Sequence, residues 1–164
     1  RQYFKDGVHT LIKKGKNPNG FTLPDQNGND VSISDYDDKY KLLSFHPLAW
    51  TSVCKNQMKA IEERYEQFEE LNTVPVGISI DPVPSKKAWA EDLGLEKLKI
   101  LSDFNPLGFA AKIMDVFIEE ENISGRVNIL LNPEGEVVWA KEYEIHEVPD
   151  FDEVIEAIKE IQNK

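Results

Sequence analysis

One cysteine in 164 residues rules out any disulfide within the chain. That scarcity fits a reducing compartment, and a cytoplasmic setting is the expectation. No apolar run reaches the roughly 18 residues that a membrane helix needs, and no secretory apolar segment is visible, so no membrane partner is expected. Basic residues are few: 19 Lys and Arg against 30 Asp and Glu leave a net charge of −11. Nucleic acids and anionic lipid reward basic surfaces, so nucleic acid is not an expected partner either. The three histidines, His9, His46 and His146, are far apart and lack metal-ligand spacing. Phosphate loops and dinucleotide fingerprints are missing, so neither a metal nor a cofactor is expected. Internal repeats, linkers and low-complexity segments are also missing, which predicts a single domain over 1–164. An apolar share of 40% with 30% charged residues is that of a soluble globular protein.

What is present reads as alternating strands and helices. Residues 1–14 are either a leader or an N-terminal hairpin turning at Asp6-Gly7. Phe21-Thr22-Leu23 and Val31-Ser32-Ile33 flank an Asn27-Gly28 turn as short strands. Residues 41–45 are a buried strand. Val53, Met58, Ile61, Tyr65, Phe68 and Leu71 then recur at helical spacing, with Glu62, Glu63, Glu66, Glu69 and Glu70 mostly on the solvated side. Residues 73–80 form a second apolar strand, followed by a helix from about Ser85 that Gly94 stops. A short extended piece at 98–101, a helix over 106–114 and an acidic loop at 119–125 come next. Residues 126–131 and 136–143 form a hairpin about the turn Asn132-Pro133-Glu134-Gly135, and Asp150 with Glu153 caps a closing helix. Crossover through 52–72 makes the first two long strands parallel, while the late hairpin adds antiparallel ones. The expectation is an α/β thioredoxin-like fold, a mixed central sheet flanked by helices on both faces.

The cysteine stands at a junction. Pro47 and Thr51 precede Cys54 by seven and three residues, between the strand at 41–45 and a helix that begins near Ser52. The first turn of a helix carries unpaired N–H groups and the positive end of the dipole, which favour an anion. The thiolate is the nucleophilic form of cysteine, so this junction suits a reactive sulfur. Each residue has a plainer reading. A lone cysteine is often a small buried hydrophobe. Thr51 can serve as a helix N-cap, Pro47 can end a strand, and Arg126 can form a surface ion pair.

Together these segments resemble the peroxiredoxin family of alkyl hydroperoxide reductases and thiol-specific antioxidants. Gly15-x-x-Pro18-x-x-Phe21-Thr22-Leu23 is similar to its opening, and Pro47-x-x-x-Thr51-x-x-Cys54 to its active-site loop. Gly77-Ile78-Ser79-Ile80-Asp81, Leu101-Ser102-Asp103 and Gly125-Arg126 before Asn132-Pro133-x-Gly135 extend the likeness over roughly residues 15–161. The resemblance implies a thiol-dependent peroxidase. Cys54 would become a sulfenic acid on reducing hydrogen peroxide or an organic hydroperoxide. Arg126 would donate to thiolate and peroxide, Thr51 would bond the peroxide, and Pro47 would shape the loop and screen the sulfur. It also implies an external thiol or a thioredoxin- or glutaredoxin-type reductant, and a homodimer.

Ionising a free thiol of pKa ~8.5 completely at pH 7.4 gains only about 13-fold, or roughly 1.5 kcal/mol. A peroxidase must therefore also stabilise the transition state, which is what Arg126 and the helix N–H groups would do. Departures from the family pattern exist. Gln57 stands where a Glu is common, His46 replaces a usual apolar neighbour, and Lys59 occupies a position that can hold a resolving cysteine in bacterioferritin-comigratory types. With no second cysteine, a one-cysteine mechanism follows. The alternative is a thioredoxin-like thiol–disulfide protein or redox sensor without peroxidase activity; it would lack the C-x-x-C pair that such exchange uses.

Overall fold

Chain reversal at Asn27-Gly28 sets the first element pair. Gly28 takes φ 82°, in the left-handed region that favours glycine, and Asp25 Oδ1 accepts the Asn27 and Asn29 amides at 2.8 and 3.1 Å. This closes β1 (Thr22–Pro24) against β2 (Asp30–Ser32). The computed structural model describes Gly15, Pro18 and residues 20–164. The expected leader or hairpin at 1–14 lies outside the described residues.

β3 (Tyr40–Phe45) is the centre of the sheet. It pairs in parallel with β4 (Thr73–Ser79) and antiparallel with β8 (Arg126–Leu131). Its side chains are buried on both faces, which is why the sequence there shows an apolar run rather than alternation. Between β3 and β4 come α1 (Ser52–Glu63) and α2 (Tyr65–Glu70). The sequence pattern reads as one helix through this stretch; the backbone breaks at Arg64, whose N–H bonds Ile61 O at 3.0 Å. The Arg64 side chain turns back to the Ala60 carbonyl and reaches Asp152 at 2.9 Å, so it ties the break to the last helix.

After β4, α3 (Val83–Leu93) ends at Gly94, which takes φ 70° as the left-handed cap. β5 (Lys99–Ser102) adds to β4 in parallel. The helix expected over 106–114 is shorter, α4 (Phe109–Ile113), because Asp103 accepts the Ala110 and Ala111 amides and fixes where the first turn begins. The acidic loop and the two residues before it form a small hairpin of β6 (Phe117–Ile118) and β7 (Ile123–Ser124), too short to show a sequence period. β8 turns into β9 (Val137–Tyr143), with a bulge between Leu130 and Leu131. Asp150 caps α5 (Phe151–Gln162) by accepting the Asp152 and Glu153 amides, while Glu153 bonds Lys141 at 2.7 Å rather than completing the box.

The sheet order is β5-β4-β3-β8-β9. Leu42, Ile100 and Leu130 face a core with Met58, Phe68, Trp89, Phe151 and Ile158 from the larger helices. Leu43, Phe45, Ile78 and Ile129 face another core closed by α4, the β1–β2 hairpin and Phe117. This is the mixed sheet with helices on both faces, most of them on one. Gly77 permits the close seat of α1 on β4, since a Cβ there would lie 2.5 Å from Met58 Sδ. Among the described residues no helix is long and apolar enough to cross a membrane.

Strand directions gather one set of loops. The C-terminal ends of β3, β4, β5 and β9 and the N-terminal end of β8 all lie at the same end of the sheet. Cys54 is at that end.

Candidate active site

The loop from β3 to α1 is held at several points. His46 N–H continues the ladder to Ile78 O at 3.0 Å, and Pro47, with no N–H, ends it. Ala49 N–H donates to Asp81 Oδ1 at 2.9 Å, and Ser79 Oγ donates to the same oxygen at 2.6 Å. Trp50 takes φ 69°, a left-handed conformation that costs an L-residue roughly 1–2 kcal/mol, and its indole N–H bonds Ser85 Oγ at 3.0 Å. The first intrahelical bond of α1 runs from Lys55 N to Thr51 O. The amides of Ser52, Val53 and Cys54 therefore precede the helical ladder, and the Cys54 side chain is fully buried beside them.

Arg126 reaches this sulfur from β8, 72 residues away in sequence. Its Nη1 donates to Cys54 Sγ at 3.3 Å and to Gln57 Oε1 at 2.6 Å. Nε and Nη2 both donate to the Ile145 carbonyl, at 3.1 and 2.8 Å. A buried guanidinium with these acceptors has one orientation, and it aims a permanent positive charge at the sulfur. Gln57 is itself fixed, since Nε2 donates to Ser44 Oγ at 2.8 Å and to Phe45 O at 3.3 Å. Gln57 stands where a Glu is common in the family, so the sequence offers no carboxylate here to orient the site. In the structure its amide orients Arg126 without neutralising it, which leaves the charge to the sulfur.

Thr51 and Pro47 sit differently. Pro47 is buried and Thr51 is exposed. Thr51 has N-cap backbone angles, but its hydroxyl caps no amide; it donates to Leu48 O at 2.9 Å. Its oxygen is thus set to accept a hydrogen bond from a ligand. The structure brings Cys54 and Arg126 into contact and puts Thr51 and Pro47 in the loop that covers them.

Two buried bases escaped the sequence reading in whole or part. His46 lies against Trp89, ring centroids 5.5 Å apart, with Nδ1 3.3 Å from Ser44 O and no partner for Nε2. Burial first, then the charges of Lys86 and Arg126, holds it well below the ordinary imidazole range, so it is neutral at pH 7. Lys86 on α3 is completely buried with no hydrogen bond to Nζ. Its sequence signal was the spacing Lys86, Trp89, Ala90, Leu93, which puts a lysine on the apolar face of a helix. Elsewhere, a cleft lined by Phe21, Ile33, Met114 and Leu131 lies toward the opposite end of the sheet and shares no residue with the thiol site. Among the described residues no three His, Cys, Asp or Glu side chains converge to hold a metal.

The chain matches the model of the AhpC/TSA family over residues 15–140. It is 32% identical over 152 residues to the mitochondrial thioredoxin-dependent peroxide reductase of Drosophila melanogaster, covering 87% of this chain and 63% of that one. It therefore spans less than two thirds of that relative's length. Against alkyl hydroperoxide reductase E of Mycobacterium tuberculosis it is 31% identical over 141 residues, covering 85% and 92% of the two chains. Among solved structures it is similar to the reduced 2-Cys peroxiredoxin of Plasmodium vivax, with a TM-score of 0.85, 25% identity, and 94% and 83% of the chains covered.

Proposed function

The chain belongs to the AhpC/TSA family, and from that premise we propose that it is a thiol-dependent peroxidase in which Cys54 reduces hydrogen peroxide and organic hydroperoxides. The observation that carries this reading is the Arg126 Nη1 contact to Cys54 Sγ at 3.3 Å, inside the first turn of α1. The thiolate attacks one peroxide oxygen, so an S–O bond forms as the O–O bond breaks. The other oxygen takes a proton and leaves as water or an alcohol. Cys54 is oxidised to a sulfenic acid and the peroxide is reduced. Charge moves from sulfur toward the leaving oxygen, and Arg126 with the Val53 and Cys54 amides is preorganised to follow it. The Thr51 oxygen accepts the peroxide O–H, because its own proton is engaged by Leu48. Pro47 ends the strand and packs beneath the loop, keeping water from the sulfur.

One sulfur cannot resolve itself. An external thiol attacks the sulfenic sulfur and releases water as a mixed disulfide forms; a second thiol displaces it, giving a disulfide and free Cys54. A low-molecular-weight thiol or a thioredoxin- or glutaredoxin-type protein fits this step, in a reducing compartment such as the cytoplasm. Peroxide consumption should require an added thiol, with Cys54 advancing to sulfinic acid in its absence. Sustained turnover without reductant would contradict the reading.

The same end of the sheet exposes large apolar side chains: Leu48, Trp50, Phe104, Phe109, Ile145 and Val148. Exposed apolar side chains of this kind favour association, and a homodimer through this end of the sheet is the proposed assembly. Sedimentation should give a dimer that Trp50→Glu weakens; a parent that is monomeric at high concentration would refute it.

A further inference from the structure

Residues 46–51 carry the chain from β3 into α1, and their conformation is not one that they would take alone. Trp50 takes φ 69°, in the left-handed region that residues other than glycine rarely adopt. Such a conformation persists only where its surroundings impose it, and it is most often imposed at functional sites. α1 does not impose it. Its N-cap residue Thr51 makes no side-chain cap, and the Thr51 hydroxyl donates back into the loop, to Leu48 O at 2.9 Å. The constraint comes from the junction of β4 and α3. Ala49 N–H donates to Asp81 Oδ1 at 2.9 Å, and the Trp50 indole N–H donates to Ser85 Oγ at 3.0 Å. One tether holds the residue before the positive φ, and the other holds the side chain of the residue that carries it.

Asp81 is itself fixed by two strands. Ser79 Oγ, at the end of β4, donates to the same Oδ1 at 2.6 Å, and Ser102 Oγ, at the end of β5, donates to Asp81 O at 2.6 Å. Asp103 N–H bonds Ser79 O at 2.8 Å and joins the two strand ends. Ser79 and Ser102 are buried, so their hydroxyls are committed to these acceptors. A carboxylate oxygen that takes one bond from a fixed hydroxyl and one from the loop amide is a charge-assisted post. Ser79-Ile80-Asp81 and Leu101-Ser102-Asp103 thus build the seat of the loop that leads to Cys54.

We propose that Asp81 is a positioning residue of the thiol site. Its carboxylate oxygen, seconded by Ser85, holds residues 48–51 in the conformation that presents the Thr51 oxygen and the first amides of α1 to a peroxide at Cys54. The proposal rests on the peroxidase reading and adds to it the device that sets the geometry. Arg126 lies outside this device, since it reaches the sulfur from β8 and is fixed by Gln57 Oε1 and Ile145 O. Releasing the loop therefore leaves the guanidinium at the sulfur and displaces the groups that surround the peroxide. A displacement of about 1 Å at a reacting centre costs roughly a hundredfold in rate.

The test compares the parent with Asp81→Asn and Asp81→Ala at neutral pH. Both variants remove the carboxylate, but the amide keeps an oxygen for the Ala49 N–H and the Ser79 hydroxyl. Oxidation of Cys54 by hydrogen peroxide is followed by quenching and mass, alkylation by iodoacetamide is measured in parallel, and folding is checked by circular dichroism. Alkylation needs the thiolate and makes no use of a placed peroxide. Asp81→Ala should slow peroxide oxidation by about tenfold to a hundredfold without slowing alkylation. Asp81→Asn should stay within about threefold of the parent, since the acceptor remains. Three results overturn the proposal: Asp81→Ala oxidised at the parent rate, oxidation and alkylation slowed in equal proportion, or an equal loss in Asp81→Asn and Asp81→Ala. Should Asp81→Ala fail to fold, Ser85→Ala decides: its peroxide rate should fall at least about threefold with alkylation not slowed, and an unchanged rate overturns the proposal. A parent that reacts with peroxide only as fast as free cysteine overturns the peroxidase reading and the proposal with it; a fast parent matched by Asp81→Ala overturns the proposal alone.

Discussion

Two lysines are buried at opposite ends of one sheet, and the molecule treats them differently. Lys41, the second residue of β3, lies by the 132–135 turn, and its ammonium donates to the carbonyls of Tyr36 and Pro133 at 3.1 and 3.4 Å. Burial lowers its proton affinity, but Asp37, Glu134 and Asp38 oppose that. Lys86 has no such carbonyls. Its Nζ is buried with no hydrogen bond at all. The difference teaches that a buried cation is an ordinary structural solution where backbone oxygens receive it. Where they are withheld, burial dominates, and the proton affinity of Lys86 falls to about 7. Arg126 combines the two: its bonds to Ile145 O and Gln57 fix it, and one face remains for Cys54.

The comparison is broken most severely at Arg126. Arg126→Ala should slow Cys54 oxidation by roughly a hundredfold to a thousandfold, the scale of losing a donor to developing negative charge. The defect should persist at pH 9.5, where thiols are largely ionised; full recovery there would leave Arg126 only the role of ionising the thiol.

Stability against pH sharpens the contrast between the two lysines. An unfolded lysine binds its proton up to about 10.5, whereas Lys86 in the folded protein releases it at about 7. Between these values the unfolded state binds more protons, so Lys86 makes stability rise with pH by up to roughly 1.4 kcal/mol per unit. Below about 7 the penalty is complete. Lys86→Met should remove that slope and raise the melting temperature at pH 7. Lys41→Met should not raise it, since two carbonyls lose their donor, and Cys54 should react at the parent rate. Equal melting behaviour for the two variants would dissolve the distinction.

Smallest is Thr51. Thr51→Val keeps the shape and removes the acceptor, so oxidation should slow by about tenfold, as for one hydrogen bond of ~1.4 kcal/mol. Stability should change by less than ~1 kcal/mol, because the hydroxyl caps no helix amide. Loss of stability with an unchanged rate would make Thr51 a structural residue only.

Much of the fold was legible because its signals are local. Gly94 and Gly28 mark positive φ, Asn132-Pro133-Glu134-Gly135 marks the hairpin, and the apolar runs in β3 and β4 mark strands buried on both faces. The break at Arg64 was not, since Tyr65, Phe68 and Leu71 continue the helical period across it. The sheet end that gathers Cys54 and Arg126 could be inferred only through motifs, because their contact spans 72 residues. The role of Gln57 was not legible, because a sequence shows the absence of a carboxylate and conceals the hydrogen bonds of the amide that replaces it. Glu62 was placed on the solvated side, yet its carboxylate accepts the amides of Glu96, Lys97 and Leu98 and pins the turn before β5. Lys86 sat in plain view on an apolar stripe; its lack of a partner is a property of the packed core alone.

The central claim is that this site accelerates peroxide chemistry beyond what ionisation gives. The most direct measurement is the second-order rate of Cys54 oxidation by one equivalent of hydrogen peroxide at pH 7.4, with the gain of one oxygen located by mass. Ionisation supplies at most about 13-fold over a free thiol, so the account predicts a rate at least about a thousandfold above free cysteine. A rate within about 13-fold of free cysteine would contradict it.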